Sequence, residues 1–104
     1  MNLHGIEIPD DKLSDFCRQW KLAELCVFGS ALRDDFKSDS DIDFLYTLLP
    51  NVRFSLMDRI AMRDALTELV GRKVDCISLK GIVRSSNWIR REAILQSAKV
   101  VYAA

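Results

Sequence analysis

Apolar positions along this chain switch between two spacings, and the switches mark out its elements. Leu13, Phe16, Cys17 and Trp20 recur at i, i+3, i+4 and i+7 behind Pro9-Asp10-Asp11, which predicts a short amphipathic helix. Leu25-Cys26-Val27-Phe28 is an unbroken apolar run closed by Gly29, the pattern of a buried strand entering a sharp turn. Residues 31–40 are polar and rich in Asp, Ser and Lys; they read as a loop with room for one helical turn. Ile42 to Leu48 reads as a second strand, ended by Pro50-Asn51. Residues 55–70 give the longest predicted helix. Ala61, Met62, Ala65, Leu66 and Leu69 form its apolar stripe, Arg59, Arg63 and Thr67 lie opposite, and Gly71 is its stop. A third strand is predicted over Lys73–Leu79, a helix over 81–97 broken near Ser85-Ser86-Asn87, and a short last strand over Lys99–Tyr102. This alternation predicts an α+β domain of α/β type, a small mixed sheet of three to four strands with helices packed on it.

Length and charge narrow the classes of function. The 104 residues suit one domain spanning 1–104, and 49% apolar content is enough for an ordinary core. Basic and acidic residues balance at 15 each, so no overall charge draws the chain to nucleic acid, and direct DNA binding is not expected. No stretch approaches the roughly 20 apolar residues of a membrane span. The start, MNLHGIEIPDD, lacks a basic region followed by an apolar one, so a cytoplasmic location is expected. Cys17, Cys26 and Cys76 form no CxxC and sit among apolar neighbours, as buried reduced thiols do. With His4 the single histidine, no zinc-ligand spacing exists.

The candidate chemistry is carboxylate. Strand periodicity places Asp41 and Asp43 on one face of the second strand, with Ile42, Phe44 and Tyr46 on the other, toward the core. Two carboxylates this close repel, and a divalent cation relieves the repulsion; Mg²⁺ commonly takes one or two carboxylates plus waters and substrate phosphates. Taken alone, Asp39-Ser40-Asp41-Ile42-Asp43 also fits a solvated loop. An EF-hand reading fails, because Phe44 stands where the loop needs Gly and Pro50 where it needs Glu. A Gly at the end of an apolar strand permits close backbone approach to a ligand, and a following Ser can cap a helix and hold phosphate oxygens. Gly29-Ser30 alone is an ordinary turn; followed after ten residues by Asp-x-Asp at a strand start, it carries information.

The segment FGSALRDDFKSDSDIDFL resembles the signature of the DNA polymerase β-like nucleotidyltransferase superfamily, above all its minimal, MNT-type members. Arg33 matches the arginine of a GSxxR pattern and Ser40-Asp41-Ile42-Asp43 matches SDID. ELVGRKVDCISL resembles the third-strand region and EAILQSAKVVYAA the usual ending, so the likeness runs from about residue 25 onward. Ala31 replaces a frequent Arg and Asp34 a frequent Gly, changes that bear on phosphate binding and leave the carboxylates intact. The resemblance implies the polymerase β-like palm fold and a third carboxylate, Asp75, which by itself reads as a paired or edge carboxylate.

The same resemblance implies the reaction. A hydroxyl attacks the α-phosphate of a bound NTP, ATP above all, and pyrophosphate leaves. Two Mg²⁺ ions, typically about 3.5–4 Å apart, would be held by Asp41, Asp43 and Asp75, with Asp75 activating the hydroxyl. Gly29 and Ser30 would grip the triphosphate, with Arg33 and Lys37 adding charge, although charged loop residues are more often simply solvated. Arg90-Arg91-Glu92 reads as a solvated helix face, and Trp20 and Trp88 as core positions. An antiparallel first pair and a parallel crossover would bring Asp75 beside Asp43. No acceptor domain is in the chain. The implied partner is a HEPN-type ribonuclease toxin whose tyrosine is AMPylated by its antitoxin. Two alternatives stay open: a non-catalytic antitoxin that binds such a toxin, and a small-molecule nucleotidyltransferase of the aminoglycoside-modifying kind. An exposed sheet face leaves room for homo- or hetero-oligomers.

Overall fold

The run Leu25 to Phe28 is apolar at every position because both faces of its strand are covered. In the computed structural model, which describes residues 1–3, 6–29 and 41–104, this strand is β3 (Leu22–Phe28). It follows a two-residue hairpin, β1 (Asn2–Leu3) and β2 (Ile6–Glu7), and helix α1 (Asp10–Gln19). Then come β4 (Ile42–Leu48), α2 (Leu56–Val70), β5 (Val74–Ser78), α3 (Leu79–Val83), α4 (Trp88–Ser97) and β6 (Lys99–Ala103). The main sheet is ordered β5-β4-β3-β6; β3 is antiparallel to β4 and β6, and β4 is parallel to β5. This is the mixed four-stranded sheet that the alternating pattern predicts.

Strand alternation divides the core in two. Leu25, Val27, Ile42, Phe44 and Tyr46 face one side, where Leu13, Phe16 and Cys17 of α1 and Met62, Leu66 and Val70 of α2 complete a cluster. Cys26, Phe28 and Leu45 face the other side and meet Ile82 of α3 and Ile94 of α4. Burying a Leu or Phe fully stabilises by about 1.5–3 kcal/mol, so these alternating contacts fix the register. Burial also pushes the thiols of Cys17, Cys26 and Cys76 up to about 12, which keeps these free cysteines protonated.

Local chemistry sets the ends of α2. The Ser55 hydroxyl accepts from the Asp58 amide at 3.1 Å, and the Asp58 carboxylate accepts from the Ser55 amide at 2.9 Å, a capping box. Gly71 closes the helix in the left-handed region with φ +77, its amide donating to the Thr67 carbonyl at 2.8 Å.

Three expectations need correction. Ala61 is exposed, and the buried stripe of α2 runs Met62, Leu66, Val70 at strict i+4 spacing. The third strand stops at Ser78 and a short helix begins at Leu79, earlier than the spacing suggests. The break after it falls where expected: Asn87 caps α4 by accepting from the Arg90 amide at 3.2 Å. Trp88 is not a core residue; placed in the first turn of α4, it is 62% exposed. Trp20 is half-buried between Phe16 and Phe54, as expected of a core-facing residue. The β1–β2 hairpin is too short for periodicity to reveal.

Among the described residues no helix is long and apolar enough to cross a membrane.

Candidate active site

Three backbone elements meet at one end of the sheet. β3 ends at Phe28, which is paired with Asp43 near the start of the antiparallel β4. β4 in turn pairs in parallel with β5, and in that register Asp43 lies directly beside Asp75. Parallel neighbours present the same face, so both carboxylates emerge on the side covered by α4. The crossover through α2 makes this juxtaposition possible: it returns the chain to the same end of the sheet, 32 residues later in sequence.

Gly29 sits against this pair. Its φ is +75, and a Cβ placed there would lie 2.8 Å from Asp43 Oδ2 and 3.7 Å from its Cγ. Any other residue would carry both the left-handed backbone and a collision with the carboxylate. Glycine at this position therefore lets the backbone at the end of β3 lie against Asp43.

Asp43 is half-buried, and its carboxyl is held above the ordinary range, first by burial, then by the negative charges of Asp75 and Asp41. Arg90 opposes this shift. That arginine, with Ala93 and Ser97, lines a cleft of about 500 Å³ shared with Gly29, Asp43 and Asp75. Arg90 is thus more than a solvated face. The readable signal was Arg90, Ala93 and Ser97 at i, i+3 and i+7, a helix stripe with small residues leaving space around one cation.

Asp41 borders a different cleft. It precedes the first residue of β4 and shares this second cleft, of about 330 Å³, with Arg63, Asp64, Thr67 and Lys73. Asp75 borders both clefts. Arg63 and Thr67, read from the sequence as the outer face of α2, therefore line this rim. Among the described residues no set of three His, Cys, Asp or Glu side chains converges closely enough to hold a metal ion. The arrangement is a close pair, Asp43 and Asp75, with Asp41 alongside. Ser30, Arg33 and Lys37 lie outside the described residues.

Comparison with known proteins gives this geometry a context. A family model described as "Nucleotidyltransferase domain" matches residues 10–101. A Methanocaldococcus jannaschii protein provisionally named a protein adenylyltransferase is 34% identical over 64 residues. That match covers 62% of this chain and 63% of the relative, so the chain spans under two thirds of it. A solved structure provisionally described as a minimal nucleotidyltransferase superposes with a TM-score of 0.66 at 28% identity, covering 86% of both chains. A crystal structure of a toxin–antitoxin with AMP-PNP reaches a TM-score of 0.69 at 20% identity, over 93% of this chain and 75% of that one. A complex of tri-AMPylated Shewanella oneidensis HEPN toxin with MNT antitoxin matches at 0.59 and 20%, covering 91% and 70%. The last two likenesses establish a shared fold. Because the family model spans nearly all of the sheet and helices that build the Gly29–Asp43–Asp75 end, the chain belongs to the nucleotidyltransferase domain family.

Proposed function

We propose that this chain is a Mg²⁺-dependent nucleotidyltransferase that moves AMP from ATP to a hydroxyl of a partner protein, and that the partner is a HEPN-type toxin. The observation that carries the reading is the register pairing of Asp43 with Asp75 beside the glycine turn. These hard, mutually repelling carboxylate oxygens fit a divalent cation whose remaining ligands are water and phosphate, and Mg²⁺ needs no all-protein cage. Asp43 and Asp75 are the residues that would hold it, and the sequence pattern adds Asp41, alongside the pair, as a further carboxylate. When bound, the metal neutralises charge on the triphosphate and acidifies the acceptor hydroxyl.

The protein's own groups divide the rest of the work. Gly29 brings backbone close to the phosphates, and Ser30, Arg33 and Lys37 are proposed on the sequence pattern to hold them. Asp75, exposed at the strand edge, accepts the proton of the acceptor hydroxyl. The oxygen–phosphorus bond to the acceptor forms as the bond to pyrophosphate breaks, and Arg90 faces the charge that develops. Residue identity at these positions, the family match, the relative named for adenylyltransfer and the AMPylated toxin held by a protein of this fold all support the assignment.

Incubating the protein with labelled ATP, Mg²⁺ and its cognate HEPN protein gives label on the partner that vanishes in Asp43→Ala and in EDTA. Neutralisation of the toxin that persists unlabelled, and survives that substitution, would leave a binding module in place of an enzyme.

A further inference from the structure

A cavity of about 630 Å³ lies away from the carboxylates. It opens at the far end of the same two parallel strands, where β4 runs into the segment before α2. Tyr46 and Ser78 line it; they are register partners three residues beyond Asp43 and Asp75. Three residues of strand span about 10 Å and reverse the face, so this cavity is separate from the cleft under α4.

Its charge is one-sided. Arg53, Arg59 and Lys80 line it and, among the described residues, no carboxylate does. All three are exposed, and among the described residues none of them is in an ion pair. They come from three different elements: the loop after β4, the first half of α2, and the start of α3. Cations gathered this way repel one another unless an anion joins them, and phosphate is the ligand that arginine forks and a lysine ammonium bind best. Leu48, Val52 and Phe54 supply an apolar part of the wall, and Thr47, Asn51 and Ser78 a polar uncharged part. The volume suits a mononucleotide-sized molecule, since ligand sites run from about 300 to 1,000 Å³.

We infer that this cavity is a second ligand site, for a mononucleotide-sized organic phosphate, with Arg53, Arg59 and Lys80 on the phosphate and the apolar wall against the organic part. It requires no metal and is independent of the reaction proposed above.

The test is amide NMR of the full chain in EDTA, titrated separately with AMP, inorganic phosphate and a short poly-glutamate peptide. AMP should shift the amides of Val52, Phe54 and Ser78. The charge-reversed double variant Arg53→Glu/Lys80→Glu, altered only at exposed side chains, should weaken AMP at least tenfold, whereas Asp43→Ala should bind it as the wild type does. Inorganic phosphate should compete more weakly than AMP. The inference is overturned if AMP shifts only residues around Gly29 and Asp75, or if the double variant, shown folded by its spectrum, binds equally well. Equal binding of inorganic phosphate, or stronger binding of the peptide, would overturn it as well.

Discussion

Substituting Gly29 by Ala applies two separable stresses at the acidic pair. The first is backbone: holding a Cβ-bearing residue at φ +75 costs about 1–2 kcal/mol. The second is contact: the new methyl lies 2.8 Å from Asp43 Oδ2, well inside the 3.4 Å at which ordinary contacts begin, so the carboxylate must retreat by roughly half an ångström. Gly71 provides the control, because its φ is +77 and nothing lies within 4 Å of its would-be Cβ. Gly71→Ala should therefore show the backbone cost alone. For a domain of this size that is a fall in Tm of about 4–8 °C per kcal/mol. Misplacing a catalytic group by about 1 Å costs on the order of 10²-fold, so half that displacement should cost about tenfold. Thermal unfolding in EDTA, followed by adenylyl transfer assayed at least ten degrees below each Tm, separates the two stresses. Gly29→Ala should lose at least as much stability as Gly71→Ala, and only Gly29→Ala should lose activity. If Gly71→Ala is equally impaired, or Gly29→Ala keeps activity within twofold while its Tm falls, the assigned role of the glycine against Asp43 is wrong.

Other outcomes follow from the same contacts. Asp43 has a folded-state pKa above its unfolded value, so its stabilising contribution is complete below the unfolded pKa and is lost as pH rises through the folded one. Asp43→Asn should accordingly raise the metal-free Tm at pH 7–8, by an amount limited by solvent screening, and should not differ in this way at pH 3. Tm measured across that range in EDTA checks it, and parallel curves for the two proteins would contradict the electrostatic account. Arg90→Gln should lower transfer by on the order of 10²-fold with Tm unchanged, as expected for loss of one charge-stabilising donor; full retention of rate would remove Arg90 from the site. Ser55→Ala breaks the capping box and should cost about 1 kcal/mol in urea unfolding, without affecting transfer at saturating ATP.

Much of the fold was legible because the sheet is buried on both faces and its strands announce themselves. β4 coincides with the predicted Ile42–Leu48, and Ser55 and Gly71 bracket α2 as their chemistry suggests. The juxtaposition of Asp43 with Asp75 was legible through the family resemblance, with a parallel crossover that permits it. Orientation around the helices was not. The side of α4 that Arg90 takes depends on where Asn87 starts the helix, and a shift of one residue turns the face by about 100°. Trp88 misleads for the same reason: in the first turn of a helix, spacing cannot say whether an apolar side chain reaches the core. That Asp41 also borders the cleft beside α2 was not legible, because Asp41 stands just before the strand whose period was used to place it.

The separation of Asp43 and Asp75 is set by neighbouring strands, which lie about 4.8 Å apart wherever a ladder forms. No long side chain has to be steered into position for these two carboxylates to meet. Core substitutions that keep the ladder in register can erode stability while leaving the spacing of the pair nearly constant. Such a protein has latitude to drift in sequence: its helices and surfaces can be remodelled for new partners without the acidic pair being rebuilt each time.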